Sequence, residues 1–204
     1  MEMENMTTQF RIEKDSLGEV QVPCDALYGV QTVRATQNFP ITHLRTHPAM
    51  IRSLGMIKKA CAMANHECGH LDDERTGYII AACDEIIQGK LDCWFITDVI
   101  QGGAGTSTNM NANEVVANRA AQLAGKALGV YDYIHPNDHV NFGQSTNDVF
   151  PTAGKLTALF LVEDLLEELM LLQEALLDKS IEFNDVIKLG RTHLQDAVPI
   201  RMGQ

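Results

Sequence analysis

Leu159-Phe160-Leu161-Val162, Leu165-Leu166 and Leu169-Met170-Leu171-Leu172 lie in a stretch, residues 148–184, with no internal helix breaker. Pro151 stands near its beginning, where the first turn of a helix tolerates a missing N–H. About 36 residues at 1.5 Å each give a rod of roughly 54 Å. Its middle is apolar well beyond one stripe, and a helix apolar on most sides is covered on most sides. Nothing else in the 204 residues is long enough to cover it. The expected fold is therefore mainly α, with this segment as the first long helix of an incomplete central helical bundle. Further chain or other subunits would complete that bundle, and the chain itself is expected to self-associate through this helix. The sequence stops at Arg201-Met202-Gly203-Gln204, just after a loop and at what reads as the start of another helix. A fragment is expected.

Upstream, the pattern is that of a small helical domain carrying a short β-hairpin. Residues 1–9 are polar and read as a loose tail. Phe10 to Lys14 alternates apolar with polar, Asp15-Ser16-Leu17-Gly18 supplies a turn, and Val20-Gln21-Val22 alternates again until Pro23. Pro48 then opens a helix that carries Met50, Ile51, Leu54, Ile57, Cys61 and Ala64 and stops at Gly69. A second helix runs from about Asp73 to Gln88, and a third from near Ser107 to Leu123. The composition shifts near residue 141. That places an N-terminal domain at 1–141 and the truncated start of the bundle domain at 142–204.

Apolar residues make up 45% and charged residues 21%, a globular composition. With 16 basic against 27 acidic residues the net charge is −11. This excludes nucleic-acid binding through a broad basic surface. No run of eighteen apolar residues is present, which excludes a membrane-spanning helix. The start, Met1-Glu2-Met3-Glu4-Asn5, has no apolar core of a secretion signal, so a cytoplasmic protein is expected. The five cysteines form no Cys-x-x-Cys pair and read as reduced, buried small hydrophobes.

Three polar segments are candidates for chemistry. Gln101-Gly102-Gly103-Ala104-Gly105-Thr106-Ser107-Thr108-Asn109 opens a helix, where free N–H groups and the dipole favour an anion. It lacks the Gly-Lys-Ser/Thr of a phosphate loop and the third glycine of a dinucleotide fingerprint. A plain loop with Thr106 or Ser107 as N-cap also accounts for it. Asn141-Phe142-Gly143-Gln144-Ser145-Thr146-Asn147-Asp148 repeats the arrangement before the longest helix, again explicable as capping. Two donor clusters without Lys or Arg point to a small-acid site. In Lys188-Leu189-Gly190-Arg191-Thr192-His193-Leu194-Gln195-Asp196, His193 could carry a proton near neutral pH. A Ser145–His193–Asp196 triad lacks the Gly-x-Ser-x-Gly elbow. His66-Glu67-Cys68-Gly69-His70 matches His-Glu-x-x-His formally, yet Gly69 reads as a helix stop, so no metal ligands are assigned.

Together these segments, with Tyr28-Gly29-Val30-Gln31-Thr32 and Asn111-x-Asn113-Glu114, resemble the aspartase/fumarase superfamily of fumarate-forming lyases in order and spacing. The likeness runs from about residue 10 to the end. Thr106-Ser107 and Ser145-Thr146 resemble the aspartase branch rather than class II fumarases. His135-Pro136-Asn137-Asp138 resembles the fumarase secondary anion site and does not discriminate.

The resemblance implies ammonia elimination from L-aspartate to give fumarate, with a small dicarboxylate as substrate. Thr106, Ser145 and Thr146 would then donate to the reacting carboxylate. Asn147 and His193 would sit by the departing amino group, His193 being the catalytic residue on that side, and Thr192 would sit by the other carboxylate. No cofactor is implied, and divalent-cation activation stays open. The family's base is a serine on a mobile Gly-Ser-Ser loop, followed by a Lys and an Asn, and its sites are built from three subunits of a homotetramer. That loop is absent from these 204 residues. The chain alone is accordingly expected to be inert. A class II fumarase, a non-catalytic helical assembly module and, last, a zinc hydrolase remain as alternatives.

Overall fold

The expected N-terminal hairpin forms between β1 (Phe10–Asp15) and β2 (Gly18–Pro23), antiparallel, with Asp15 opposite Gly18 across a two-residue turn. The computed structural model describes residues 9–204, so the expected tail lies, except for Gln9, outside the described residues. Five α-helices follow: α1 (Val30–Asn38), α2 (Pro48–Glu67), α3 (Asp73–Ile87), α4 (Thr106–Leu123) and α5 (Thr146–Glu182). A second antiparallel hairpin, β3 (Ile187–Thr192) with β4 (Gln195–Arg201), closes the chain. The fold is mainly α, as its periodicity indicates. No helix among the described residues is long and apolar enough to cross a membrane.

The chain forms two compact units, one running to Thr157 and the other Ala158–Gln204, with α5 contributing to both. In the first unit, α2 packs on α3, α3 on α4, and α1 on α4 and the hairpin. Pro48 occupies the first turn of α2, whose cap is the His47 ring accepting from Ala49 N–H. Asp72 caps α3 through Arg75 N–H at 2.8 Å. Gly69, at φ +77°, ends the α2 connection as a left-handed residue, the stop read from sequence. Leu54, Ile79, Ile86, Phe95, Val115, Val116 and Ile134 form the fully buried core.

α4 is the central helix, buried along most of its length although much of that surface is polar. Two of its buried amides each bridge two backbone segments. Asn111 accepts from Ile96 N–H and donates to the Trp94 carbonyl; Asn118 donates to the Leu27 carbonyl and accepts from Gly129 N–H. Glu114, 1% exposed, accepts from the backbone N–H groups of Gly29, Gln31 and Thr32 and from the Thr32 hydroxyl at 2.6 Å. Glu13 takes Val30 N–H at 2.9 Å. These two carboxylates cap α1, whose N-cap Gly29 has no side chain to do so. A Cβ at Gly29 would lie 2.7 Å from Glu13 Oε2 and 2.9 Å from Glu114 Oε1, so only glycine lets the backbone approach both.

Four details differ from the sequence expectation. α1 lacks an apolar stripe and was not foreseen, because its cap comes from residues distant in sequence. Residues 188–199, read as a loop, form most of a hairpin. α5 begins two residues early, so Pro151 lies inside the helix rather than in its first turn. Of the cysteines, all reduced, Cys83 is buried, Cys61 is half-buried, and Cys24, Cys68 and Cys93 are exposed at chain turns and helix ends. Burial pushes the Cys83 thiol up to about 12.

In the second unit α5 is apolar over most of its circumference, with Glu163, Glu167, Glu174 and Asp178 along one side. Leu159, Met170, Leu176 and Ile181 are each more than 60% exposed. The chain after β4 folds back on this helix, with Gly203 N–H on the Phe183 carbonyl and Ser180 hydroxyl on the Gly203 carbonyl.

Glu114→Gln replaces an acceptor-only group with one that turns an NH2 toward backbone donors. It should lower stability by about 3 kcal/mol, read from urea unfolding by circular dichroism. An unchanged midpoint would show that α1 is held by Glu13 alone.

Candidate active site

The glycine loop before α4 is built for a tight approach. Gly103 and Gly105 adopt φ of +65° and +94°, and a Cβ on Gly105 would collide with the Phe150 ring of α5. The cap is not Thr106 or Ser107, as local sequence suggested, but the side chain of Gln101. Its Oε1 accepts from Thr108 N–H at 2.7 Å, and its Nε2 donates to Thr108 Oγ1 at 2.7 Å and to the Asp98 carbonyl at 3.2 Å. Asp98 is itself fixed by Thr42 N–H and hydroxyl and by the N–H groups of His43 and Ile100, at 2.7–2.8 Å. Burial would raise this carboxyl, but the four hydrogen bonds outweigh it and hold Asp98 well below the usual carboxylate range. Thr106 and Ser107 therefore start the helix with hydroxyls that bond to none of the described residues. They border a cavity of about 200 Å³ with Gln31, Arg34, Phe39 and Met110; Ser145, Thr146 and Asn147 do not line it.

The start of α5 adjoins the start of α4 through one direct bond, Asn109 Nδ2 to Thr146 Oγ1 at 3.0 Å. Ser145 is the residue before the helix, and its hydroxyl accepts from Asn147 N–H at 3.2 Å, so capping accounts for Ser145 in part. Pro151 has no N–H to offer the Asn147 carbonyl four residues earlier, which leaves that oxygen outside the helical ladder. Thr106, Ser145, Thr146 and Asn147 thus sit at two joined helix N-termini, where oriented N–H groups and both dipoles favour an anion.

Behind this loop lies a residue that the sequence analysis missed. Lys58 on α2 is fully buried, and its Nζ donates to Asn141 Oδ1 at 2.8 Å and Gln144 Oε1 at 2.9 Å. Asn109 Nδ2 also approaches Asn141 Oδ1, at 3.3 Å. Burial pushes the Lys58 ammonium down to about 7, with the nearby Cys61 and Cys83 pulling the other way. Its position, four residues after Leu54 and four before Ala62 within an apolar stripe, was the available signal. Asn109 Oδ1 is buried with no protein partner.

Thr192 and His193 belong to the second unit. Thr192 pairs with Gln195, and His193 and Leu194 form the two-residue turn, both left-handed at φ +50° and +61°. That turn type favours Asn-Gly, so a His-Leu pair is strained there, and both side chains are exposed. Asp196 faces Arg191 at 3.7 Å across the hairpin. In the first unit, His66 lies inside α2 with Nδ1 on the Leu71 carbonyl at 3.1 Å, whereas His70 lies beyond the helix end against Phe142. The intact helical turn needed by a His-Glu-x-x-His zinc site is thus broken between them. His135 Nδ1 accepts from Asn137 and Asp138 N–H at 3.2 Å, shaping the π-helical turn Pro136–Val140.

The profile of a family described as "Lyase" matches residues 18–204. The chain is 58% identical over 199 residues to an aspartate ammonia-lyase of a Bacillus species, covering 98% of this chain and 42% of that protein. It is 54% identical over 200 residues to a class II fumarate hydratase of Halobacterium salinarum, covering 98% of this chain and 42% of that one. Among solved structures, a fumarate lyase:delta crystallin from Brucella melitensis bound to cobalt superposes with a TM-score of 0.85 at 51% identity. That match covers 96% of this chain and 43% of the other. The chain thus spans well under half the length of the relatives it matches.

The depressed Lys58 gives a signed pH dependence. Between about 7 and the ordinary lysine value of 10.5 the unfolded chain holds a proton that the folded chain has released. Stability therefore rises with pH across that window and carries the full penalty below it. The unfolding free energy of the wild type relative to Lys58→Met should climb from neutral pH to pH 10 in urea titrations. A flat difference would mean that Lys58 keeps its ordinary proton affinity.

Proposed function

This chain belongs to the lyase family, and on that premise we propose that it carries part of the substrate site of an enzyme reversibly eliminating ammonia from L-aspartate to give fumarate. The observation that carries this reading is the Asn109–Thr146 bond, which joins two donor-rich helix N-termini. Removing the C3 proton of aspartate places a second negative charge on the adjacent carboxylate. Donors aimed at that charge and fixed before reaction lower the barrier. Thr106, Ser145 and Thr146 are assigned to it. Asn147 and His193 are assigned to the departing amino group, where His193 handles a proton, and Thr192 to the second carboxylate. The base is assigned to a serine loop outside these 204 residues, so the activity belongs to the whole protein and this chain alone is expected to be inactive.

The same reading makes the enzyme a cytoplasmic homotetramer, with a small domain to residue 141 and the bundle domain from 142. The pairs Thr106-Ser107 and Ser145-Thr146 favour aspartate over malate as substrate. The likeness to a class II fumarate hydratase supports a second reading, hydration of fumarate on the same scaffold.

Following fumarate absorbance in the full-length protein separates the two. Consumption only with ammonium, yielding L-aspartate, is the expected result; consumption without ammonium would mean malate formation and overturn the aspartase assignment. In the same assay Thr106→Val should lower kcat by about a hundredfold, the effect of losing one preorganised donor. An unchanged kcat would remove Thr106 from the reacting carboxylate.

A further inference from the structure

The two donor clusters contain no lysine or arginine, yet a lysine stands directly behind them. The Lys58 amine presents two N–H donors when neutral and three when charged, enough for both contacts in either state. Both oxygens that meet Lys58 Nζ, Asn141 Oδ1 and Gln144 Oε1, therefore face it, which decides the orientation of both amides. Their NH2 groups then point elsewhere: Asn141 Nδ2 donates to the Gln144 carbonyl at 3.1 Å, and Gln144 Nε2 to the Val140 carbonyl at 2.8 Å. These bonds close the loop that ends in Ser145-Thr146-Asn147.

The same logic reaches Thr146. Asn141 Oδ1 also receives Asn109 Nδ2, so the amide of Asn109 is set with its NH2 toward the loop, and that group donates to Thr146 Oγ1 as well. With its oxygen already accepting, the Thr146 hydroxyl proton is left to donate to a ligand. Among the described residues, the partners of Lys58 are amide oxygens rather than a carboxylate, so its charge is not neutralised by an ion pair. A dicarboxylate arriving at the loop would supply the missing negative charge.

We propose that Lys58 is a positioning residue of the anion site: it orients Asn141 and Gln144 and, through Asn109, commits the Thr146 hydroxyl to donating to a substrate carboxylate. This rests on the function proposed above, in naming a dicarboxylate, but is tested without turnover.

The test uses the full-length protein, with succinate as a non-reacting dicarboxylate titrated by calorimetry and with steady-state kinetics alongside. Lys58→Met should weaken the succinate Kd about tenfold and lower kcat as well, because the Thr146 hydroxyl it commits is assigned to the carboxylate on which charge develops. Because Lys58→Met can fail to fold, Asn141→Asp provides an independent arm. It offers Lys58 a carboxylate but loses the Nδ2 donor to the Gln144 carbonyl, so the melting temperature is read alongside, while the altered orientation and added negative charge weaken succinate about tenfold. A purely structural role predicts an Asn141→Asp variant with wild-type Kd. That result, or a folded Lys58→Met with wild-type Kd, overturns the proposal, as does a wild type that binds no succinate. A wild type that binds succinate yet turns over neither aspartate nor fumarate overturns the proposed reaction and leaves the Kd comparison to judge Lys58.

Discussion

One buried carboxylate organises the first unit. Glu114 lies in the middle of α4 and gathers three backbone N–H groups and a hydroxyl from the start of α1. Burial pushes its carboxyl up, and the bonds from Thr32, Gln31 and Gly29 oppose that shift. The first-turn donors of α1 have no intrahelical acceptors, so burying them demands one from outside. Glu114 and Glu13 supply it together, at the helix end where the dipole favours negative charge. Glu13 in turn holds Arg11 and the Tyr131 hydroxyl, so the N-terminal hairpin, α1, α4 and the 131 loop are tied through two side chains. Tyr131, buried beside both carboxylates, is pushed well above the usual phenol range, chiefly by that burial. It serves as a neutral donor to Glu13.

Most of what positions the candidate site follows from α4 being fixed in this way. Once it is held by Glu114 and Asn118, its N-terminus is a fixed platform: Gln101 and Thr108 attach the preceding glycine loop to it, and Asn111 the segment Trp94–Ile96. The helix uses amides where a charged core would need many counter-ions. An asparagine both donates and accepts, so each can bridge two backbone segments without a net charge to desolvate. The contrast with Lys58 is informative, since a bare ammonium in such surroundings is expensive and therefore specific in what it demands of its neighbours.

Elements with local signals were legible in the sequence. The Asp15–Gly18 turn, Pro48 and Gly69 around α2, Asp72 before α3 and the unbroken run of α5 each carry their own start or stop. α1 does not: its cap residues lie 17 and about 84 positions away in sequence, and its apolar pattern is short. The β3–β4 hairpin escaped for a related reason. Its turn is His193-Leu194 rather than a glycine pair, and Pro199 lies within β4, so the usual punctuation is missing. The donor clusters were legible as polar helix starts, but their actual capping was not. Gln101 reaches seven residues forward to Thr108, a contact no short-range rule anticipates.

α5 joins the site's precision to its assembly. Its first three turns or so are anchored in the first unit by Val149, Ala153 and the Thr157 hydroxyl on Ser53. From Leu159 onward its leucines stand exposed. Each such side chain contributes about 1.5–3 kcal/mol when buried, so the helix carries a large drive toward association along the rest of its length. A helix turns about 100° per residue, and a slip of one position while packing would carry Ser145, Thr146 and Asn147 away from Asn109. On the proposed reading, the anchoring at Thr157 and the bond at Thr146 therefore do more than cap a helix. They fix the register of the donor cluster at the start of the helix independently of whatever packs on the leucines from Leu159 onward.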